Sequence, residues 1–172
     1  MDAQEFKSVL LLKRPRYANS RKPVFEALAN KGNRKSEFSQ FGPLYELYAY
    51  AFTLGLKINS RLVLPPREAT TDFLEIGKWK RDSSLVDFLL MIVFSNCKDI
   101  GFDWNELEDM EESDLQKVIS NIVTYIEEYA NGGLEFIQRA FDEDKLPNSH
   151  YLFADLLAEN TVFRDTEEEE RL

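Results

Sequence analysis

The stretch Gly42-Pro43-Leu44-Tyr45-Glu46-Leu47-Tyr48-Ala49-Tyr50-Ala51-Phe52-Thr53-Leu54-Gly55 decides the fold. Between Pro43 and Gly55 only Glu46 and Thr53 are clearly polar. Leu44, Leu47, Tyr48, Ala51 and Leu54 fall on one face of a helix, and Tyr45, Ala49 and Phe52 on the other. A helix that is apolar all round has to be buried on most sides. Pro43 suits a first helical turn, where a missing N–H costs nothing, and Gly55 is expected to close the helix in the left-handed conformation. The chain then runs through Lys57 to Leu64, whose alternating end reads as a short strand closed by Pro65-Pro66.

A second stretch of the same kind lies at Ser84–Asn96. Nine of the ten residues from Leu85 to Phe94 are apolar, and Ser84 with Asp87 forms a variant of the capping box. This helix also has to be buried, most simply against the first. Around the two, shorter amphipathic helices are expected. One covers about 23–31 and carries Val24, Ala27 and Leu28. Another begins at the Ser113/Gln116 capping box, carries Leu115, Val118, Ile119, Ile122, Val123 and Ile126, and ends near Asn131-Gly132-Gly133. Two more carry Leu134, Ile137, Ala140 and Phe141, and Leu152, Phe153, Leu156 and Leu157. The compact run Val9-Leu10-Leu11-Leu12 before Lys13-Arg14-Pro15 reads as a short strand, although one helical turn fits so few residues as well. The fold class is therefore mainly α, a compact helical domain around two buried apolar helices with one or two short N-terminal β-strands. A chain of 172 residues, 44% hydrophobic, can bury a real core. Residues 1–165 are expected as one domain and 166–172 as an acidic tail.

Charge is distributed unevenly. Residues 1–81 hold 15 Lys and Arg against 8 Asp and Glu, a balance of +7, whereas 82–172 hold 6 against 23, a balance of −17. A basic half (1–81) and an acidic half (82–165) in one domain suggest either mutual attraction within the fold or two faces for different partners. Lys13, Arg14, Arg16, Arg21 and Lys22 crowd the N-terminal part, and Lys78-Trp79-Lys80-Arg81 sets bases beside an aromatic ring. Both groups are candidates for contact with nucleic acid, through phosphate neutralisation and base stacking. A tryptophan anchored in the core between solvated lysines is the commoner use of the second pattern. Asp103, Glu106, Glu108, Asp109, Glu111, Glu112 and Asp114 fall within twelve residues that contain no base. The stretch reads first as a solvated acidic loop and otherwise as a metal site, a DNA mimic or a partner-docking surface, for which Asp103, Glu106, Glu108, Asp109, Glu111 and Glu112 are the candidates. No glycine is placed for the turn of a calcium loop.

Groups for covalent or acid–base chemistry are sparse. His150 is the only histidine and Cys97 the only cysteine, so the usual zinc sites and a histidine-based triad are hard to assemble, and no glycine-rich phosphate loop occurs. Asp72, Glu75 and Lys78 lie close together but match no nuclease spacing. No catalytic residue, metal or cofactor is expected. A single cysteine, the lack of a leader pattern and an apolar run too short for a bilayer predict a cytoplasmic protein with no membrane segment.

Phe41 to Leu64, with the apolar helix, Ala51-Phe52-Thr53-Leu54-Gly55-Leu56 and Asn59-Ser60-Arg61-Leu62-Val63-Leu64, resembles the core signature of small proteins encoded beside bacterial DNA-phosphorothioation (Dnd) restriction genes. Lys13-Arg14-Pro15 is similar too, so the likeness spans about residues 9–64. The small subunits of SMC-like anti-phage systems such as Lamassu resemble the same residues equally. Either resemblance implies a non-catalytic accessory or adaptor subunit that assembles with larger protein subunits, a nuclease or ATPase effector, in an anti-phage defence complex. A DNA-binding module that contacts phosphates through the basic half is the other reading.

Overall fold

The computed structural model describes residues 2–29, 42–79, 84–143, 154–156 and 158. The chain is mainly α. In order, it forms α1 (Ala3–Leu11), β1 (Arg16–Ala18), α2 (Lys22–Leu28), α3 (Leu44–Lys57), β2 (Thr70–Asp72), α4 (Ser84–Ser95), α5 (Cys97–Ile100) and α6 (Glu112–Asp142), with short 3-10 turns between them. Residues 154–156 and 158 are helical as well. The elements divide into two compact units. Unit 1 is Met1–Ser20 with Leu62–Glu128, and unit 2 is Arg21–Arg61 with Tyr129–Leu172. The apolar helix α3 thus belongs to unit 2 and the apolar helix α4 to unit 1, while α6 contributes its first part to unit 1 and the rest to unit 2.

Unit 1 begins with a helix where a strand was expected. The Asp2 side chain accepts the Glu5 N–H at 2.8 Å, capping α1, and Phe6 and Leu10 are buried at i, i+4 while Leu12 is left 68% exposed. One buried stripe is what a helix needs, and a strand could not bury Phe6 and Leu10 while turning Leu12 outward on the same side. The strand comes later, after Pro15. β1 pairs antiparallel with β2, Arg16 opposite Asp72, Tyr17 opposite Thr71 and Ala18 opposite Thr70. The pairing is extended by Phe73 N–H to the Pro15 carbonyl (2.7 Å) and Ile76 N–H to the Lys13 carbonyl (3.0 Å). Trp79 packs edge-on against Phe73, which meets Tyr17 in the same way. On α4, Val86, Leu89, Leu90 and Val93 are buried, as are Leu115, Val118, Ile119, Ile122, Tyr125 and Ile126 of α6. The strand expected near Leu62–Leu64 does not form. Leu62 donates its N–H to the Glu128 carbonyl at 3.1 Å, and Val63 is 78% exposed, so this stretch borders a helix rather than a second strand.

In unit 2, α2 starts with Pro23 in its first turn and buries Val24, Phe25 and Leu28, with Phe25 stacked on Tyr48 of α3 at 6.4 Å. α3 buries Leu47, Tyr48, Ala49, Ala51, Phe52, Leu54 and Gly55. Gly55 does not end the helix. Asn59 does, at φ 51°, with Ser60 N–H bonded to the Gly55 carbonyl and Asn59 N–H to the Leu56 carbonyl, the two-bond closure in which asparagine is the commonest alternative to glycine. The glycines have another use. A Cβ on Gly55 would overlap the Tyr129 carbonyl oxygen, one on Gly132 the Ser60 carbonyl and one on Gly133 the Ala51 carbonyl. Residues 51–60, at the end of α3 and just past it, and the middle of α6, at Tyr129 to Gly133, therefore meet backbone to backbone. The Asn131-Gly132-Gly133 sequence, expected to stop a helix, lies inside an unbroken one because the tertiary contact outweighs the roughly 1 kcal/mol that each mid-helix glycine costs.

Candidate functional site

The structure pairs four of the predicted nucleic-acid candidates, Arg14, Arg16, Arg21 and Lys78, with acids of the chain. In unit 1, the Glu127 carboxylate is 3% exposed and receives three hydrogen bonds from one residue: Arg16 N–H (2.8 Å), Nε (3.0 Å) and Nη2 (2.9 Å). Arg14 and Lys78 share Glu75, with Arg14 Nε at 3.1 Å and Lys78 Nζ at 2.8 Å. Arg67 holds Asp72 at 2.8 Å. The Asp72, Glu75, Lys78 group is consequently a set of neutralised pairs rather than two free carboxylates beside a base. In unit 2, Arg21 donates to the Gln138 side-chain oxygen at 2.8 Å and lies 3.6 Å from Glu135. Trp79 is fully buried and its indole N–H donates to the Leu74 carbonyl at 2.8 Å, so neither ring face can receive a base. Lys22 is exposed at the start of α2, Lys13 is half-buried with its carbonyl bonded to Ile76, and Lys80 and Arg81 lie outside the described residues, as do Lys31, Arg34, Lys35 and His150.

These pairs carry a pH signature. Lys78 first, and then Arg14, hold the Glu75 carboxyl below its ordinary value. A carboxyl depressed on folding adds stability above its unfolded pKa and loses it as pH falls through the folded value. We expect Glu75→Gln to lower stability at neutral pH and the gap between variant and wild type to close below about pH 4, as read from urea midpoints. A gap that stays constant down to about pH 3 would contradict the pairing.

The acidic candidates stand apart from this neutralisation. Asp103 folds onto its own turn, its Oδ1 accepting the Asn105 backbone N–H at 2.9 Å and the Asn105 side-chain amide at 3.0 Å. Glu106, Glu108, Asp109, Glu111 and Glu112 are exposed, and among the described residues none of them is in an ion pair. Asp114 pairs with Lys117 at 2.7 Å, and Glu112 and Asp114 occupy the first turn of α6, where negative charge suits the helix N-terminus.

The acidic turn borders a cleft of about 840 Å3 inside unit 1. α1 contributes Ala3, Phe6 and Leu10, α4 contributes Leu90 and Phe94, and Leu107 and Leu115 complete the apolar lining. Its polar rim is Asp2, Lys7, Asp87, Asn105 and Glu108, with Lys7 Nζ 3.3 Å from Asp87. The cleft is not visible in the sequence when residues 9–12 are read as a short strand rather than as helix. Asp2 and Glu5, spaced as an N-cap and its partner ahead of Phe6 and Leu10, were the signal that could have revealed it. Among the described residues, no helix is long and apolar enough to cross a membrane, and no group of three or more His, Cys, Asp or Glu could hold a metal ion. The arrangement suits recognition, with an apolar cleft set in a negative surface. No protein-family model, curated protein or solved structure matches the chain.

Proposed function

We propose that the chain is a non-catalytic accessory subunit, acting in the cytoplasm, that holds a larger nuclease or ATPase effector of a bacterial anti-phage defence complex through its acidic surface. The observation that carries this reading is the unequal fate of its charges. Arg14, Arg16, Arg21 and Lys78 are engaged within the chain, whereas Glu106, Glu108, Asp109, Glu111 and Glu112 face solvent without an ion pair among the described residues. Unspent surface charge of one sign steers a partner of the opposite sign and selects against others. The defence setting rests on the resemblance of residues 9–64 to small Dnd-associated and Lamassu subunits.

The competing reading, a DNA-binding module, makes a different demand on solution behaviour. Duplex DNA titrated at several salt concentrations should bind weakly at most, and Lys13→Glu with Lys22→Glu should change the affinity little. Tight binding that falls steeply with salt, with a slope reduced by those two substitutions, would replace the adaptor reading with the DNA one.

A further inference from the structure

We infer that the cleft between α1 and α4 is a docking groove for a basic amphipathic helix of a partner protein. This rests on the accessory-subunit reading and adds to it the chemistry of the partner. Three observations lead there. First, the cleft runs between two helices whose lining residues repeat at helical spacing, Phe6 and Leu10 on α1 and Leu90 and Phe94 on α4. Phe6, Leu10 and Leu90 are buried and form its floor, with Phe94 half-buried at its side, a shape over which apolar side chains at i, i+3 and i+4 of a third helix can pack. Second, the apolar surface does not end at the cleft. Phe88 and Met91, one residue beyond Asp87 and Leu90 on α4, are 47% and 59% exposed. A small molecule held in the cleft would leave these two side chains in water, whereas a helix lying along α4 would cover them. Third, the rim is negative on balance. Asp2, Asp87 and Glu108 face it with a single base, Lys7, which is already committed to Asp87, and Glu106 and Asp109 extend the negative field along the neighbouring turn. An acidic helix would be repelled and a neutral one would gain nothing from the rim. A helix with Lys or Arg flanking its apolar stripe would pair with it.

The test uses the full chain and a fluorescein-labelled, four-turn Leu/Lys peptide with one apolar face, followed by anisotropy and by amide chemical shifts. Two controls accompany it: a scrambled peptide of the same composition with no apolar face, and a Leu/Glu peptide. The amphipathic basic peptide should bind at least about tenfold more tightly than either control, about 1.4 kcal/mol. Shifts should concentrate in α1 and α4. Phe88→Ser with Met91→Ser should weaken binding about tenfold, and so should Asp87→Asn with Glu108→Gln; all four positions are exposed, so folding should be kept. Equal binding of the scrambled peptide, or affinity indifferent to both pairs of substitutions, would overturn the proposal. A cleft that takes the apolar anion anilinonaphthalene sulfonate but not the peptide is a small-molecule site and would overturn it too. Failure here with partner assembly intact removes only this mode of docking. Peptide binding that persists while the chain assembles with no larger protein removes the accessory reading instead.

Discussion

Gly133→Ala should destabilise the protein by about 1–3 kcal/mol, although the same change in the middle of an exposed helix would stabilise it by roughly 0.5–1 kcal/mol. The sign is the informative part. Position 133 lies within a continuous 31-residue helix, so propensity favours alanine, but the added methyl would overlap the Ala51 carbonyl oxygen of α3. The obstacle is backbone, which cannot rotate away as a side chain could, and the two helices would have to separate. Gly132→Ala, which meets the Ser60 carbonyl, should behave alike. Thr124→Ala, exposed on the same helix, should stay within about 0.5 kcal/mol of wild type. Urea unfolding of the variants checks all three, and a gain of stability at position 133 would contradict the backbone-to-backbone crossing.

The larger loss is expected at Arg16. Arg16→Ala should cost about 3–5 kcal/mol, because it strips two charge-assisted bonds from the buried Glu127 carboxylate and leaves it uncompensated. Only the bond from the Arg16 backbone N–H would remain. Arg16→Lys should recover part of the loss, since an ammonium cannot offer the guanidinium's parallel pair of donors. Arg16→Met combined with Glu127→Leu should recover most of it, because the cost lies in the orphaned charge rather than in the missing attraction. A double-mutant cycle makes this quantitative, and strictly additive losses would show that the two side chains do not interact. The same experiment bears on function. A residue needed to neutralise a buried carboxylate is not at liberty to neutralise a phosphate.

Periodicity made the helical architecture legible. The apolar spacing of residues 44–57 and 84–95 placed both apolar helices, α3 and α4, within a few residues of their bounds, and Leu115 through Ile126 located the first half of α6. What it could not supply was tertiary cause. Gly55 and Gly132-Gly133 look like punctuation in a sequence, and their role as contact points exists only because Tyr129, Ser60 and Ala51 present carbonyls to them. The Val9 to Leu12 run looked like a strand because four apolar residues in a row have no period, and the deciding evidence was the capping by Asp2. The basic candidates were visible as residue types but not as partners. Arg16 meets Glu127 and Arg21 meets Gln138 across more than a hundred residues of chain, and no local pattern announces such pairs. The acidic turn was legible because it stays exposed. The cleft beside it was not, since it depends on α1 being a helix.

The most direct measurement of the central claim is assembly with a defined partner. The chain should be co-expressed with the proteins that its neighbouring genes encode and any complex purified at low and at moderate salt, with Glu106→Lys, Glu108→Lys and Asp109→Lys combined in one variant. These three side chains are exposed and carry no ion pair among the described residues, so the variant should fold like wild type. The account predicts a stable complex for wild type that weakens with salt, and a loss of about tenfold or more in affinity for the variant. A complex that forms equally well with the reversed charges, or a purified chain that forms no complex yet binds duplex DNA tightly, would contradict it.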